Sequence, residues 1–80
     1  MKLPRDISGT DPAKKLAKYG YNVTRQRGSH MRLTTNLKGQ HHVTIPAYKA
    51  IPIDILDLIL ADLSEHLEIK KTALINELFE

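Results

Sequence analysis

Residues 21–35 read YNVTRQRGSHMRLTT, two runs rich in β-branched residues separated by Arg27-Gly28-Ser29. Alternating polarity on either side of a glycine turn is the pattern of a β-hairpin. The spacing predicts strands over Tyr21–Gln26 and His30–Thr35. A third follows over His41–Ile45, after the turn Asn36–Gln40. Register follows from parity. A two-residue loop at Gly28-Ser29 would set Val23 against Thr34. A three-residue loop from Arg27 to Ser29 sets Val23 against Leu33 and Arg25 against Met31. A slip of one residue turns every side chain over, so the longer loop is expected. Tyr21, Val23, Met31, Leu33, Val43 and Ile45 then share an apolar face. Asn22, Thr24, Gln26, His30, Arg32, Thr34, His42 and Thr44 share a polar one.

Helical signals flank this sheet. Upstream, Asp11-Pro12 reads as a cap and first helical position for a helix over 9–19, with Ser8 as a competing earlier cap. Ala13, Leu16 and Tyr19 form its apolar stripe, opposite Lys14, Lys15 and Lys18, and Gly20 ends it. Downstream, Pro46 closes the third strand and Ala47–Ile51 connects to Pro52. A helix over about 53–66 follows, with Ile55, Leu56, Ile59, Leu60, Leu63 and Leu67 on one side. Leu67-Glu68-Ile69 interrupts. A last helix over 70–79 carries Ala73, Leu74, Ile75, Leu78 and Phe79. The order is α-β-β-β-α-α, an α+β fold with helices on one face of a three-stranded antiparallel sheet. A double-stranded-RNA-binding domain has the same order up to its second helix.

Size and composition narrow the function. Eighty residues are expected to form a single domain, 1–80. Such a chain has little room for an enclosed cavity, so a surface site is expected. There is no cysteine, hence no disulfide and no thiolate metal site. No run approaches the length of a membrane span. The opening MKLPRDISGT lacks a long apolar core, and the expected setting is cytoplasmic. The net charge of +3 is unevenly spread. Residues 1–50 hold ten Lys or Arg and two acids, and residues 51–80 hold two Lys and seven acids. A basic half suits a polyanion such as RNA. It equally suits a protein whose acids simply face water.

Arg25-Gln26-Arg27-Gly28-Ser29-His30 is the most informative segment for chemistry. Metal-free RNA cleavage needs a base for the ribose 2′-hydroxyl, donors for the negative phosphorane, and an acid for the leaving 5′-oxygen. Histidine titrates near neutrality and can be base or acid. Arg25, Arg27, Arg32 and the Gly28-Ser29 amides can stabilise the added charge. Taken alone, a turn histidine among arginines is as readily ordinary surface. His41 and His42 are adjacent, so in a strand they point to opposite faces and cannot share a metal. His42 is a second proton carrier, a phosphate contact or a solvated residue. His41 starts a strand, and His66 sits at the negative end of a helix dipole.

Several segments together resemble the HicA toxin family. They are the opening Leu3-Pro4-Arg5-Asp6-Ile7-Ser8-Gly9, Gly20-Tyr21, and Arg25-Gln26-x-Gly28-Ser29-His30. His42-x-Thr44-Ile45-Pro46, Lys49-x-Ile51-Pro52 and the closing Leu67–Leu78 stretch are similar in kind. Many members follow the motif histidine with a second histidine or an aromatic, where this chain has Met31 and Leu33. The resemblance implies a double-stranded-RNA-binding-like fold, endoribonuclease activity on mRNA, and neutralisation by a HicB-like antitoxin. It also implies that His30 is the catalytic histidine. Arg25, Gln26, Arg27, Gly28, Ser29, Arg32 and His42 are the candidate RNA-contacting set, with no metal, no small-molecule cofactor and no membrane. Two other readings use the same residues: a non-catalytic RNA-binding module, and an interaction domain whose acidic helices bind a protein.

Overall fold

The computed structural model describes residues 7–79. The basic lead Leu3–Asp6, part of the resemblance above, lies outside the described residues. The elements are α1 (Thr10–Lys15), running on into a 3-10 turn (Leu16–Tyr19), then β1 (Asn22–Arg27), β2 (His30–Thr35), β3 (His41–Pro46), α2 (Ile53–Leu67) and α3 (Lys71–Phe79). The strands form one antiparallel sheet in the order β1-β2-β3. Helices cover one face of it, as the apolar alternation requires. None of the described helices is long and apolar enough to cross a membrane.

The core is a layer of Tyr21, Met31, Leu33, Val43 and Ile45 from the sheet side, meeting Leu16 and the helical leucines. Leu56, Leu60, Leu63, Leu67, Leu74 and Leu78 are almost wholly out of water. Each such side chain contributes about 1.5–3 kcal/mol through burial. Met31 and Leu33 both lie here, so the departure from the family's usual residues faces the core. The inner stripe of α2 matches its 3.6-residue spacing except at Ile55, which is exposed. Leu58, on the outer side, is 71% exposed. In α3, Ala73 is exposed beside buried Leu74 and Ile75.

α1 begins one residue before Asp11, with Gly9 as its N-cap and Pro12 inside the first turn. The proline is tolerated because the first N–H groups of a helix have no intrahelical partner. Neither candidate residue is the cap: Gly9 lies between Ser8 and Asp11, and the Ser8 hydroxyl only approaches the Thr10 amide at 3.4 Å. Gly9 is obligatory for space: a Cβ there would lie 1.8 Å from the Pro46 carbonyl oxygen.

The hairpin departs from the parity argument in one respect. Asn22 pairs with Thr34 and Val23 with Leu33, as expected, but Arg25 then pairs with Arg32, Gln26 with Met31 and Arg27 with His30. The loop is therefore the two residues Gly28-Ser29, and a β-bulge between Val23 and Arg25 takes up the odd residue. Gly28 sits at φ +55° and Ser29 at negative φ, the pattern of a type II′ turn, whose twist suits a two-residue hairpin. Arg25 consequently leaves the Met31 side and joins His30 and Arg32, while Gln26 crosses to the Met31 side. Val23 keeps its core parity but is half exposed, because β1 is an edge strand.

Candidate functional site

On the uncovered face, the β1–β2 hairpin presents four charged or titratable side chains in one place. Arg25, Arg27, His30, Arg32 and Thr44 line a shallow recess of about 190 Å³. The register explains the grouping. Arg25 opposes Arg32 and Arg27 opposes His30, so all four side chains leave the sheet on the same side. Thr44, opposite Arg32 on β3, forms the wall beyond them. Cross-strand arginines repel one another, and among the described residues none of the three has a carboxylate within ion-pair distance.

The acidic half of the chain lies elsewhere. Three of its carboxylates pair with lysines, Asp57 with Lys71, Glu77 with Lys18 and Glu68 with Lys38 at 3.2 Å, and Asp62 lies 3.1 Å from His41 Nε2. The sequence asymmetry thus becomes spatial. The helices hold the acids, and the open sheet face keeps unneutralised guanidinium groups.

His30 is exposed, at the first position of β2, directly after the glycine turn. Among the described residues, the histidine hydrogen bonds belong to His41, His42 and His66, leaving both ring nitrogens of His30 for a ligand. Its ring meets Tyr48 edge to face, with centroids 6.2 Å apart and planes at 70°. The turn is braced from both sides. The Gln26 side-chain amide donates to the Gly28 carbonyl at 3.2 Å, and the Ala47 amide donates to the Ser29 carbonyl. Gln26 therefore shapes the turn, and no contact brings it into the recess.

His42 shares the polar face but not the recess. It opposes Thr34, whose hydroxyl is 2.8 Å from its Nδ1, whereas His30 opposes Pro46. Four residues along a strand separate the two by about 13 Å. His42 is therefore not among the residues that line the recess.

The other two histidines form a separate cluster on the packed face. Tyr21 Oη lies 2.7 Å from His41 Nδ1, and His41 Nε2 lies 3.1 Å from Asp62. The His66 ring stacks on His41 at 4.2 Å and donates through Nε2 to the Leu37 carbonyl. Burial, with the Asp62 carboxylate adding to it, pushes the Tyr21 phenol up to about 12. The phenol therefore stays neutral at physiological pH, hydrogen-bonded to His41. Sequence reasoning missed this cluster, which joins residues 20 or more positions apart. Thr44 and Tyr48 were also missed as neighbours of His30. The signal that could have found them is Pro46, whose pairing with the first residue of β2 brings the end of β3 to the turn.

Among the described residues no group of three or more His, Cys, Asp or Glu is placed to hold a metal. The recess offers cations, one imidazole and a hydroxyl, which is a donor set for phosphate and not for a metal ion.

The comparison with curated proteins and that with solved structures each returned no match. The family comparison did: a model described as the HicA toxin of bacterial toxin–antitoxin systems matches residues 9–64, more than half of the chain and the whole of the recess.

Proposed function

The chain belongs to the HicA toxin family of bacterial toxin–antitoxin systems, and on that premise we propose that it is a metal-independent endoribonuclease acting on mRNA through His30. One observation carries the reading: an exposed imidazole, free at both nitrogens among the described residues, stands in a recess with three guanidinium groups that no described carboxylate neutralises.

The arginines bind the phosphate on either side of the scissile bond, by charge-assisted hydrogen bonds that planar guanidinium groups make in pairs. His30 takes the proton from the 2′-hydroxyl, and the oxygen attacks phosphorus. The P–O5′ bond breaks, leaving a 2′,3′-cyclic phosphate and a 5′-hydroxyl end. The 5′-oxygen receives a proton from the imidazolium or from water. Arg25, Arg27 and Arg32 hold more charge in the phosphorane than in the ground state, which is where stabilisation accelerates the step. Thr44 can donate to a phosphate oxygen. A HicB-like antitoxin neutralises the toxin by covering this basic face, and an acidic surface is the complement it requires.

The test compares RNA decay by the wild type and His30→Ala in the presence of a chelator. Decay by the wild type alone supports the reading. Equal decay by both proteins removes His30 from the mechanism, and loss in chelator restores a metal. The recess holds one imidazole and no second group titrating near neutrality, which favours an alternative: a module that binds RNA without cutting it. Steeply salt-dependent binding with no cleavage by the wild type would select that alternative.

A further inference from the structure

Tyr48 stands beside His30 without a role so far. Of the four Tyr and Phe side chains, Tyr21 is buried in the core and Tyr19 and Phe79 pack against it. Tyr48 is 39% in water and meets the ring of His30, which itself lines the recess with Arg25, Arg27, Arg32 and Thr44.

Its position is fixed although its ring is wet. Its carbonyl accepts from the Gly9 amide at 2.9 Å. The preceding residue, Ala47, donates to the Ser29 carbonyl in the His30 turn, and Ile51 donates to the Ile7 carbonyl at 2.8 Å. Gly9 is packed so closely on Pro46 and Ala47 that no side chain fits there. The connection from β3 to α2 is thus clamped between the start of α1 and the turn that carries the imidazole. An aromatic ring is presented at a set distance from His30, with centroids 6.2 Å apart.

We propose that Tyr48 is the base-stacking residue of this site: its ring carries the nucleobase adjoining the phosphate bound by Arg25, Arg27 and Arg32. Guanidinium groups recognise a phosphate but no base, and an aromatic face recognises any unpaired base. A base inside an A-form duplex is stacked on its neighbours and cannot reach such a ring. The RNA taken at this site is therefore single-stranded at the bound step, a constraint that the arginines and His30 do not impose. The inference rests on the nuclease reading for the ligand's identity, but its test reads binding and not cutting.

The probe is a short, fluorescein-labelled, fully 2′-O-methylated oligonucleotide. It lacks the attacking hydroxyl and stays intact on the wild-type protein. Affinity is measured by anisotropy for the intact probe and for a series with one abasic site walked along it. Tyr48→Ala should weaken binding of the intact probe roughly 5- to 150-fold, the range base–aromatic stacking spans, and Tyr48→Phe should restore it. Tyr48→Leu keeps apolar bulk beside His30 without a π-face, and should bind as weakly as Tyr48→Ala. One abasic position should weaken the wild type by a similar factor and leave Tyr48→Ala unchanged, because both changes remove the same contact. A fully paired duplex of the same sequence should compete poorly.

Any one of the following overturns the proposal: wild-type affinity in Tyr48→Ala or Tyr48→Leu, no abasic position that matters to the wild type, or losses from Tyr48→Ala and the abasic site that simply add. The two readings fail separately. A wild type that binds in this pattern yet leaves ordinary RNA uncut refutes the nuclease and keeps the stacking residue. A wild type that cuts RNA while ignoring the abasic series refutes the stacking residue and keeps the nuclease.

Discussion

His30 and His41 occupy the same small sheet and illustrate two uses of one side chain. His41, at the start of β3, is enclosed by Tyr21, Asp62 and the stacked ring of His66, with a partner on each nitrogen. His30, at the start of β2, has three arginines for neighbours and among the described residues no hydrogen-bond partner. The first arrangement engages both ring nitrogens, Nε2 with a carboxylate and Nδ1 with a phenol. The second leaves a nitrogen able to gain or lose a proton on a ligand. A histidine whose nitrogens are both engaged by its own protein tethers elements to one another, and one whose nitrogens face water is equipped for chemistry.

Substitution at each histidine is the sharpest way to break that contrast. His30→Ala should lower the RNA cleavage rate by about 10²–10⁴, the usual share of a general acid or base, with an unchanged urea midpoint. A cleavage assay and an unfolding curve on the same preparation check both halves. Next in size is the alkaline limb of stability. The Tyr21 phenol is raised from 10.0 to about 12, so folding favours its neutral form. That stabilisation is complete below pH 10 and is lost as pH rises through about 12, by up to about 3 kcal/mol at 1.36 kcal/mol per pH unit. Urea midpoints from pH 9 to 12 should fall for the wild type and stay flatter for Tyr21→Phe. His41→Ala should cost about 1–3 kcal/mol by leaving the Tyr21 hydroxyl buried without its partner, while cleavage at neutral pH persists. Loss of cleavage at full stability in that variant would erase the distinction between the two histidines. The smallest effect separates paired from unpaired cations. Lys38→Gln removes an exposed pair with Glu68 and should cost about 0–1 kcal/mol, with an unchanged salt dependence of RNA binding. Arg32→Gln should leave stability alone and reduce that slope by about 0.7, one phosphate contact on a single strand.

The two neighbourhoods differed as much in legibility as in chemistry. The recess is mostly local: Arg25 to Arg32 is one hairpin, and a glycine turn among cations is visible in eight consecutive residues. Strand positions came from period-two alternation and matched β2 residue for residue. The cluster around His41 was invisible, because its partners come from the 3-10 turn's end, from α2 and from the loop after β2. Their meeting depends on how the helices settle on the sheet. The same limit applies to Tyr48, delivered to His30 by the pairing of β3. The bulge at Thr24 lacks a residue signature, since threonine is an ordinary strand former. Its trace in the sequence is a conflict: Val23 and Arg25 share parity, yet one wants the core and the other water. A uniform strand cannot satisfy both, and the extra residue resolves it.

That extra residue divides β1 into two halves whose orientations are set independently. The turn determines which way the arginines look, and the pairing of Asn22 and Val23 determines how the strand joins the body of the sheet. Removing Thr24 would leave every ladder pair on both sides of it in place and merely straighten the ribbon. The outer half of β1 is thus set apart from its inner half, while β2 stays paired with β3 along its whole length. A change of length at this point of β1 bears on Arg25 and Arg27, because the pairing of β2 with β3 and the Ala47–Ser29 hydrogen bond hold His30 and Arg32 in place.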